Sequence, residues 1–224
     1  MAASSTKPSF LVFEAFAQQN RNAVQKMTQI PSTATQILTF WFDAPAHPNS
    51  EYGQERRIWF HKDPVFDQQV RENFLSIYEQ ARRRACDDWL QTPQGTLALA
   101  VLLDQFPRNM FRGTPRSFEA GKQALAIAEW AIAHRVDCAL IPVERMFLYL
   151  PFEHSENLAH QNQAVTLFEA LIQNAPELQT TLDYAYRHRD VITQFGRFPH
   201  RNAILGRTST LEEITFLQQP GSSF

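Results

Sequence analysis

Apolar residues recur at helical spacing along most of the chain. Behind Asp63 and Pro64, a stripe follows at intervals of three and four residues: Phe66, Val70, Phe74, Ile77, Ala81 and Ala85. That period predicts an amphipathic α-helix with one buried face. Asp63 fits as its N-cap and Pro64 as its first helical residue, where the missing N–H costs nothing.

The same start signal precedes the next two predicted helices. Thr92 and Pro93 stand before residues 97–103, which are apolar all round and predict a central helix covered on every side. Pro107 is expected to end or kink that helix, because proline cannot donate the helical hydrogen bond. Thr114 and Pro115 then predict a helix that runs through Ala133.

Four further helices are predicted in the second half of the chain. One begins at Pro142 and ends near Leu150, and the next is expected to have Ser155 as its cap. A third begins at Pro176 and ends near Gly196, since glycine is favoured just past a helix end. Ser209 with Glu212 predicts a capping box at the start of the last helix.

Strand signals are nearly absent, since only 7 glycines occur and no Asn-Gly or Asp-Gly turn separates alternating segments. The fold class is therefore predicted to be all-α. Short proline-marked loops make neighbouring helices antiparallel, which gives a stack of helix pairs or a compact helical bundle. No repeat of about 34 residues with a fixed signature distinguishes these two architectures.

Length, charge and cysteine usage narrow the broad class of protein. Of 224 residues, 31–224 are expected to form a single domain, and residues 1–30 a partly disordered extension. With 21 Lys and Arg against 23 Asp and Glu, nucleic-acid binding is disfavoured. No apolar run reaches the roughly 20 residues of a membrane span, so a soluble protein is expected. Cys86 and Cys138 show no metal or disulfide spacing, which favours the cytoplasm.

Three segments place charged residues among aromatic residues and prolines, and these are the three polar strings. They are residues 103–113 (LDQFPRNMFRG), 147–156 (FLYLPFEHSE) and 195–207 (FGRFPHRNAILGR). Together with Phe40-Trp41-Phe42, the strings resemble those of the bacterial domain of unknown function family 924, over about Ile37 to the C-terminus. The resemblance implies a tetratricopeptide-like stack of helix pairs and implies that the strings belong together. It implies no activity.

The first polar string offers a binding site for an anion. Asp104 lies at the end of the most apolar helix, and the break expected at Pro107 would leave backbone donors beside Arg108, Asn109 and Arg112. The alternative is structural, because Asp104 could pair with one of the two arginines to close the kink.

The second polar string carries candidates for acid–base chemistry. Glu153 and His154 follow Pro151, and both residue types can hold or move a proton. Metal binding is not predicted, since Glu156 and His160 are four residues apart rather than three and no HExxH motif occurs. Glu156 could simply complement the dipole of the helix that follows.

The third polar string adds Arg197, His200, Arg201 and Asn202 between two helices. Gly196 and Arg197 could act only as a helix C-terminus, which leaves His200 and Arg201 unexplained. The triplet at residues 200–202 lacks the catalytic Asp of a kinase loop, and neither a phosphate-binding GxxxxGK[ST] loop nor a GxSxG nucleophile motif is present.

Two hypotheses of different classes follow from the strings. In the first, they form one cleft that binds a small anionic molecule, with Arg108, Arg197 and Arg201 holding a carboxylate or phosphate. Glu153, His154 or His200 would then move a proton. In the second, the protein is a scaffold for a protein or peptide partner, and the strings are internal ion pairs. Whether the chain is an enzyme, which cofactor it uses and its oligomeric state stay open.

Overall fold

The computed structural model describes residues 30–223, and among them every regular element is helical. The all-α prediction is therefore confirmed. The extension predicted for residues 1–30 falls almost wholly outside the described residues. No helix in the described part of the chain is both long and apolar enough to cross a membrane.

The helices follow one another with short connections, several of which contain a 3₁₀ turn. They are α1 (Ser32–Phe42), α2 (Pro64–Arg82), α3 (Pro93–Ala100), α4 (Phe106–Met110), α5 (Gly121–Ala133), α6 (Pro142–Glu153), α7 (Leu158–Ile172), α8 (Gln179–Phe195) and α9 (Leu211–Leu217). The 3₁₀ turns are Arg57–Trp59, Asp87–Gln91, Pro115–Phe118, Val136–Ala139, Pro176–Leu178 and Pro199–Arg201.

Helices in the second half of the fold pack against their neighbours in sequence, whereas those in the first half do not. From α5 to α8 each helix packs against the next one along the chain, as short loops require. Earlier, α1 packs on α3 and α2 on α4, while α3 also contacts α5 and α6 and so lies at the centre. The residues of α3 are accordingly buried on all sides, as the apolar run from Leu97 predicted.

The early aromatic cluster belongs to the core rather than to a site. Trp41 and Phe42 are fully buried. Their rings form one group with those of Trp59 and Phe147, in which the centroids of contacting rings lie 4.8 to 6.2 Å apart. Trp59 donates its indole N–H to the carbonyl of Trp41 at 2.7 Å. These contacts fix α1 and the loop after it against α6, where the second polar string lies.

Two helix starts agree with prediction and two do not. Asp63 accepts from the backbone N–H groups of residues 65 and 66, and Thr92 accepts from that of residue 95. Ser155 is not the cap of α7, because Asn157 accepts the N–H of residue 159 instead. The capping box of α9 is also shifted by one residue, to Thr210 with Glu213.

Prolines inside helices are accommodated better than predicted. Pro107 does not end its helix, since α3 continues through a π-helical segment (Val101–Gln105) into α4, which extends to Met110. The wider π turn changes the hydrogen-bond register ahead of Pro107, where its missing N–H does little harm. In the same way, α6 passes through Pro151 and ends at Glu153 rather than near Leu150.

Two predicted helices begin later than the sequence signals indicated. The segment from Thr114 starts with the 3₁₀ turn Pro115–Phe118, and the α-helix begins only at Gly121. Pro176 likewise opens a 3₁₀ turn before α8. The delayed start of α5 matters for the site, because it leaves Phe118 on a turn rather than in a buried helical stripe.

Candidate functional site

The three polar strings meet at one place, which we call the Phe118 cluster. The π-helical segment with α4, the end of α6, the middle of α8 and the turn Pro199–Arg201 supply its side chains around the turn that carries Phe118. Its members are Asp104, Arg108, Phe118, Glu153, His154, His188, His200 and Arg201.

Asp104 and His154 form a hydrogen-bonded pair at the centre of the cluster. Asp104 is 2% exposed, and its Oδ2 lies 2.7 Å from Nδ1 of His154. The side chain of Gln105 donates to the same carboxylate at 2.6 Å. Burial alone would raise the pKa of Asp104, but the charges of His154 and Arg108 outweigh it and hold that pKa well below its usual range.

The ionised state of Asp104 determines the tautomer of His154. An ionised carboxylate can only accept, so Nδ1 of His154 carries the hydrogen and donates it. In the neutral ring the lone pair then lies on Nε2, to which no group within residues 30–223 hydrogen-bonds. The His154 side chain keeps 15% exposure. The pair therefore presents an oriented proton acceptor.

Arg201 is a buried cation without a carboxylate partner among the described residues. It is 7% exposed, and its Nη1 donates to the carbonyl of His154 at 3.0 Å. Its guanidinium carbon lies 4.9 Å from the centroid of the Phe118 ring and 4.2 Å from that of Phe198. Its Nε is buried and makes no hydrogen bond within that part of the chain.

Arg108 approaches the same aromatic ring. Its guanidinium carbon lies 5.6 Å from the centroid of Phe118, and its Nη2 is 3.5 Å from Oδ1 of Asp104. That distance is at the outer limit of a hydrogen bond. The Nε of Arg108 is buried and, within residues 30–223, unsatisfied, as is that of Arg201. Two cations thus approach the ring of Phe118, and Arg108 also approaches the carboxylate of Asp104.

Glu153 and His188 form a second buried pair in the cluster. Oε1 of Glu153 lies 3.1 Å from Nδ1 of His188, which also lies 2.9 Å from the carbonyl of Tyr184. Burial and then the negative charge of Asp104 raise the pKa of Glu153 to about 8. Glu153 is therefore mainly protonated at neutral pH.

The three histidines of the cluster are held neutral. Burial and then repulsion by Arg108 lower the pKa of His154 to about 4, against the attraction of Asp104. Burial and then repulsion by Arg201 lower the pKa of His200 to about 3. Burial, followed by the charge of His154, also lowers the pKa of His188 well below its usual range.

The cluster as a whole carries an excess positive charge at neutral pH. Burial and then the neighbouring charge of Arg108 lower the pKa of Arg201 to about 9, which still leaves it protonated at pH 7. Arg108 and Arg201 are then two cations against the single anion Asp104, while Glu153 and the histidines are neutral. Such a site can attract and hold one small anion.

Several sequence-predicted ligand residues have structural partners instead. Asp67 on α2 accepts from Asn109 at 2.7 Å and from Arg112 at 2.7 and 2.8 Å. These bonds fasten α4 to α2 outside the Phe118 cluster.

Arg197 and Asn202 of the third polar string converge on Glu213. Arg197 donates to it at 2.6 and 2.8 Å, and Asn202 at 3.2 Å. Glu213 also accepts the backbone N–H of Thr210 at 2.7 Å in the capping box of α9. We call this group the Glu213 network. Glu156, for its part, forms a bidentate pair with Arg207.

Two members of the cluster were missed from the sequence. Phe118 falls within the helix predicted from Thr114 to Ala133, whereas it lies on a 3₁₀ turn, half-buried under two arginines. His188 was not considered, although it lies on the apolar stripe of α8 between the buried Ala185 and Ile192. A histidine at a stripe position is a signal that could have been found.

A second histidine arrangement lies near the end of α6 but outside the cluster. Ser155 Oγ lies 2.8 Å from Nδ1 of His160, whose Nε2 is 3.4 Å from Glu129 of α5. Since the Glu129 side chain is half exposed, these contacts are those of a surface link between helices. In the described part of the chain no group of three His, Cys, Asp or Glu side chains could hold a metal ion.

Comparisons with known proteins identify a family and a similar solved structure, and both are described as proteins of unknown function. A family model described as bacterial protein of unknown function (DUF924) matches residues 37–221. A solved structure of a protein of unknown function from Agrobacterium tumefaciens is similar, with a TM-score of 0.73 and 38% sequence identity. That match covers 85% of this chain and 99% of the other. Proteins with curated functions give no significant match.

Proposed function

The chain belongs to the bacterial family of unknown function DUF924, and we propose that it binds a small anionic ligand through Arg108 and Arg201. The observation that carries this proposal is the buried guanidinium of Arg201, which has no carboxylate partner among residues 30–223. The ligand would bear a carboxylate or a phosphate.

The energetics of burial support a ligand at this position. Removing a cation from water costs several kcal/mol unless an opposite charge or good hydrogen bonds compensate. The guanidinium group of Arg201 contacts only one backbone carbonyl and two aromatic rings among the described residues. Burial and then the charge of Arg108 accordingly lower its pKa. An anion between the two guanidinium groups would supply the missing charge and accept from their buried Nε atoms.

We propose further that His154 acts as a general base on a bound ligand that carries a single negative charge. Asp104 orients its ring, as the acid of a catalytic triad orients a histidine, and leaves Nε2 as the acceptor. Glu153, the preceding residue, has its pKa raised to about 8 by burial and by Asp104, which suits a proton donor. Neighbouring groups whose pKa values are pushed apart are typical of acid–base catalysis.

The alternative function is a scaffold that binds a protein or peptide along a tetratricopeptide-like stack. It is supported by the contacts of four predicted ligand residues. Asn109 and Arg112 donate hydrogen bonds to Asp67. Arg197 and Asn202 donate to Glu213. Those bonds are the internal ion pairs that this hypothesis requires. It does not explain why Arg201 lacks such a partner.

A cytoplasmic location is part of the proposal. It is supported by Cys86 and Cys138, which are both free thiols in the structure. Disulfide-stabilised proteins of oxidising compartments use their cysteines differently.

The test is a thermal-shift and calorimetry screen of sulfate, phosphate, formate and acetate on the wild-type protein and on Arg201→Met. A ligand at about 100 times its Kd should stabilise the protein by roughly 2.7 kcal/mol, or about 5 to 10 °C in Tm. The shift should vanish in Arg201→Met.

Arg112→Met is the matched control, since it removes an equal charge from the pair with Asp67 outside the Phe118 cluster. It should keep the ligand-induced shift. An equal loss in both variants, or no shift with any anion in the wild type, would count against the proposed function.

A further inference from the structure

The charge arrangement of the Phe118 cluster distinguishes between kinds of anion. We propose that a monoanion such as a carboxylate binds here with no linked proton, and that a dianion such as a phosphate monoester group binds with uptake of one proton by His154. The inference rests on the proposed function, because it requires that Arg108 and Arg201 hold the anion.

The first step concerns how Asp104 is shared. Its carboxylate lies 2.7 Å from Nδ1 of His154 and 3.5 Å from Nη2 of Arg108. In the free protein Arg108 thus provides part of the countercharge of Asp104. An anion that binds Arg108 takes over that cation, and the negative charge of Asp104 then falls to His154 alone.

The second step is a count of charges. Without ligand the cluster has Arg108 and Arg201 against Asp104, which leaves one excess positive charge. A monoanion such as formate would neutralise it without any proton. A dianion would leave one excess negative charge in a buried site, which is costly unless a neighbouring group becomes protonated.

The third step identifies the group that takes the proton. His154 already donates from Nδ1 to Asp104, so protonation at Nε2 converts an existing hydrogen bond into an ion pair without any movement. Its side chain is 15% exposed, whereas that of His188 is 5% exposed. His200 lies beside Arg201 on the same turn. Of the three histidines, His154 is the one in contact with the central carboxylate.

Within residues 30–223, the charged and titratable groups around His154 come from several elements. The π-helical segment and α4 contribute Asp104 and Arg108, α6 contributes Glu153, α8 contributes His188, and the turn Pro199–Arg201 contributes His200 and Arg201. In the free protein, burial and Arg108 hold the pKa of His154 at about 4. A bound dianion offsets that repulsion and raises the pKa.

The experiment is calorimetry with inorganic sulfate and with formate at about pH 6, in buffers of different ionisation enthalpy. Sulfate is a permanent dianion at that pH, so a linked proton must come to rest on the protein. The observed enthalpy should change with buffer by close to one proton per sulfate, and by about none per formate. By linkage, sulfate affinity should rise up to about tenfold per unit fall in pH.

The variant His154→Asn keeps an amide donor towards Asp104 and removes the proton acceptor. It should bind sulfate with no linked proton, while His134→Asn, at an exposed histidine of another region, should behave as the wild type. Should His154→Asn fail to fold, imidazole nitrogen chemical shifts of the wild type report the same protonation when sulfate is added.

The outcomes separate the two proposals. Sulfate binding without a linked proton overturns the present inference and leaves the proposed function standing. A linked proton that persists in His154→Asn, or imidazole shifts that place it on another histidine, also overturns it. Absence of binding by either anion overturns the proposed function itself.

Discussion

The Glu213 network and the Phe118 cluster both use residues of the third polar string, yet their charges are paired to very different degrees. In the Glu213 network one buried carboxylate accepts from Arg197, Asn202 and the backbone of Thr210. In the Phe118 cluster Arg108 lies 3.5 Å from Asp104, and Arg201 contacts no carboxylate within the described residues.

This difference distinguishes residues that stabilise the fold from residues whose position the fold does not explain, even within one polar string. A residue whose charge and hydrogen bonds are balanced internally has a sufficient structural reason to be there. Arg201 is buried and contacts no carboxylate among residues 30–223, and a buried cation of that kind destabilises the fold unless something else binds to it. We therefore assign the Glu213 network to stability, whereas ligand binding is our proposal for the Phe118 cluster.

The largest expected effect comes from removing the buried carboxylate at the centre of the Phe118 cluster. Asp104→Asn should destabilise the protein by about 3 to 5 kcal/mol in urea unfolding, because Arg108 loses its carboxylate contact and the charge of Arg201 loses a nearby buried anion. Adding Arg201→Met to that variant should recover part of the loss. If the double variant is no more stable than Asp104→Asn, the two charges are not coupled as described.

A smaller loss is expected from the Glu213 network. Glu213→Gln should cost about 2 to 3 kcal/mol, since the weakened capping box and the buried amide of Asn202 lose their acceptor. Arg197 is partly exposed and can be hydrated instead. Anion binding measured by calorimetry should be unchanged in this variant, and a loss of binding would join the two regions that we separate.

The stability of the Phe118 cluster should depend on pH in the acid range. The pKa values of His154 and His200 are lowered, by burial and by arginine, to about 4 and about 3. The unfolded chain therefore binds more protons below about pH 6.5, and stability falls as pH falls. Glu153, with its raised pKa, contributes in the opposite sense up to about pH 8.

The pKa of His188 is lowered, as are those of the other two histidines. The three histidines therefore lower stability on acidification, and Glu153 alone opposes them. We expect a net loss of about 1 to 2 kcal/mol between pH 6.5 and 5.5, measured by urea unfolding. The loss should be smaller in His154→Asn. Stability that rises on acidification over this range would mean that the histidines are not held neutral by the cluster.

Much of the fold could be predicted because helices and their starts are local. The caps Asp63 and Thr92 need only neighbouring residues, and both are confirmed. The stripe from Phe66 to Ala81 is confirmed in α2 except that Tyr78 is buried where Ile77 was expected, and Ala85 lies exposed beyond the end of the helix. The cap of α9 was misplaced by one residue, since Ser209 and Thr210 each precede a glutamate by three positions. Sequence offers no means of choosing between those registers.

The site was predictable only in part, because pairing across the fold is not local. The polar strings indicated which residues carry unusual chemistry, and Asp104, Glu153, His154 and Arg201 do come together. Their partners were not predictable, since Arg112 could equally have paired with Asp104 rather than with Asp67 on α2. The π-helical segment that carries Asp104 depends on tertiary packing and has no sequence signal comparable to a cap.

The most direct test of the central claim compares the unfolding free energies of Arg201→Met and Arg207→Met in urea, without ligand. Arg207 forms a bidentate pair with Glu156, so its loss should destabilise the protein. We predict that Arg201→Met, which replaces an uncompensated buried cation by an apolar side chain, is as stable as the wild type within about 1 kcal/mol, or more stable. A loss in Arg201→Met equal to or larger than that in Arg207→Met would show that Arg201 serves the fold and contradict the account.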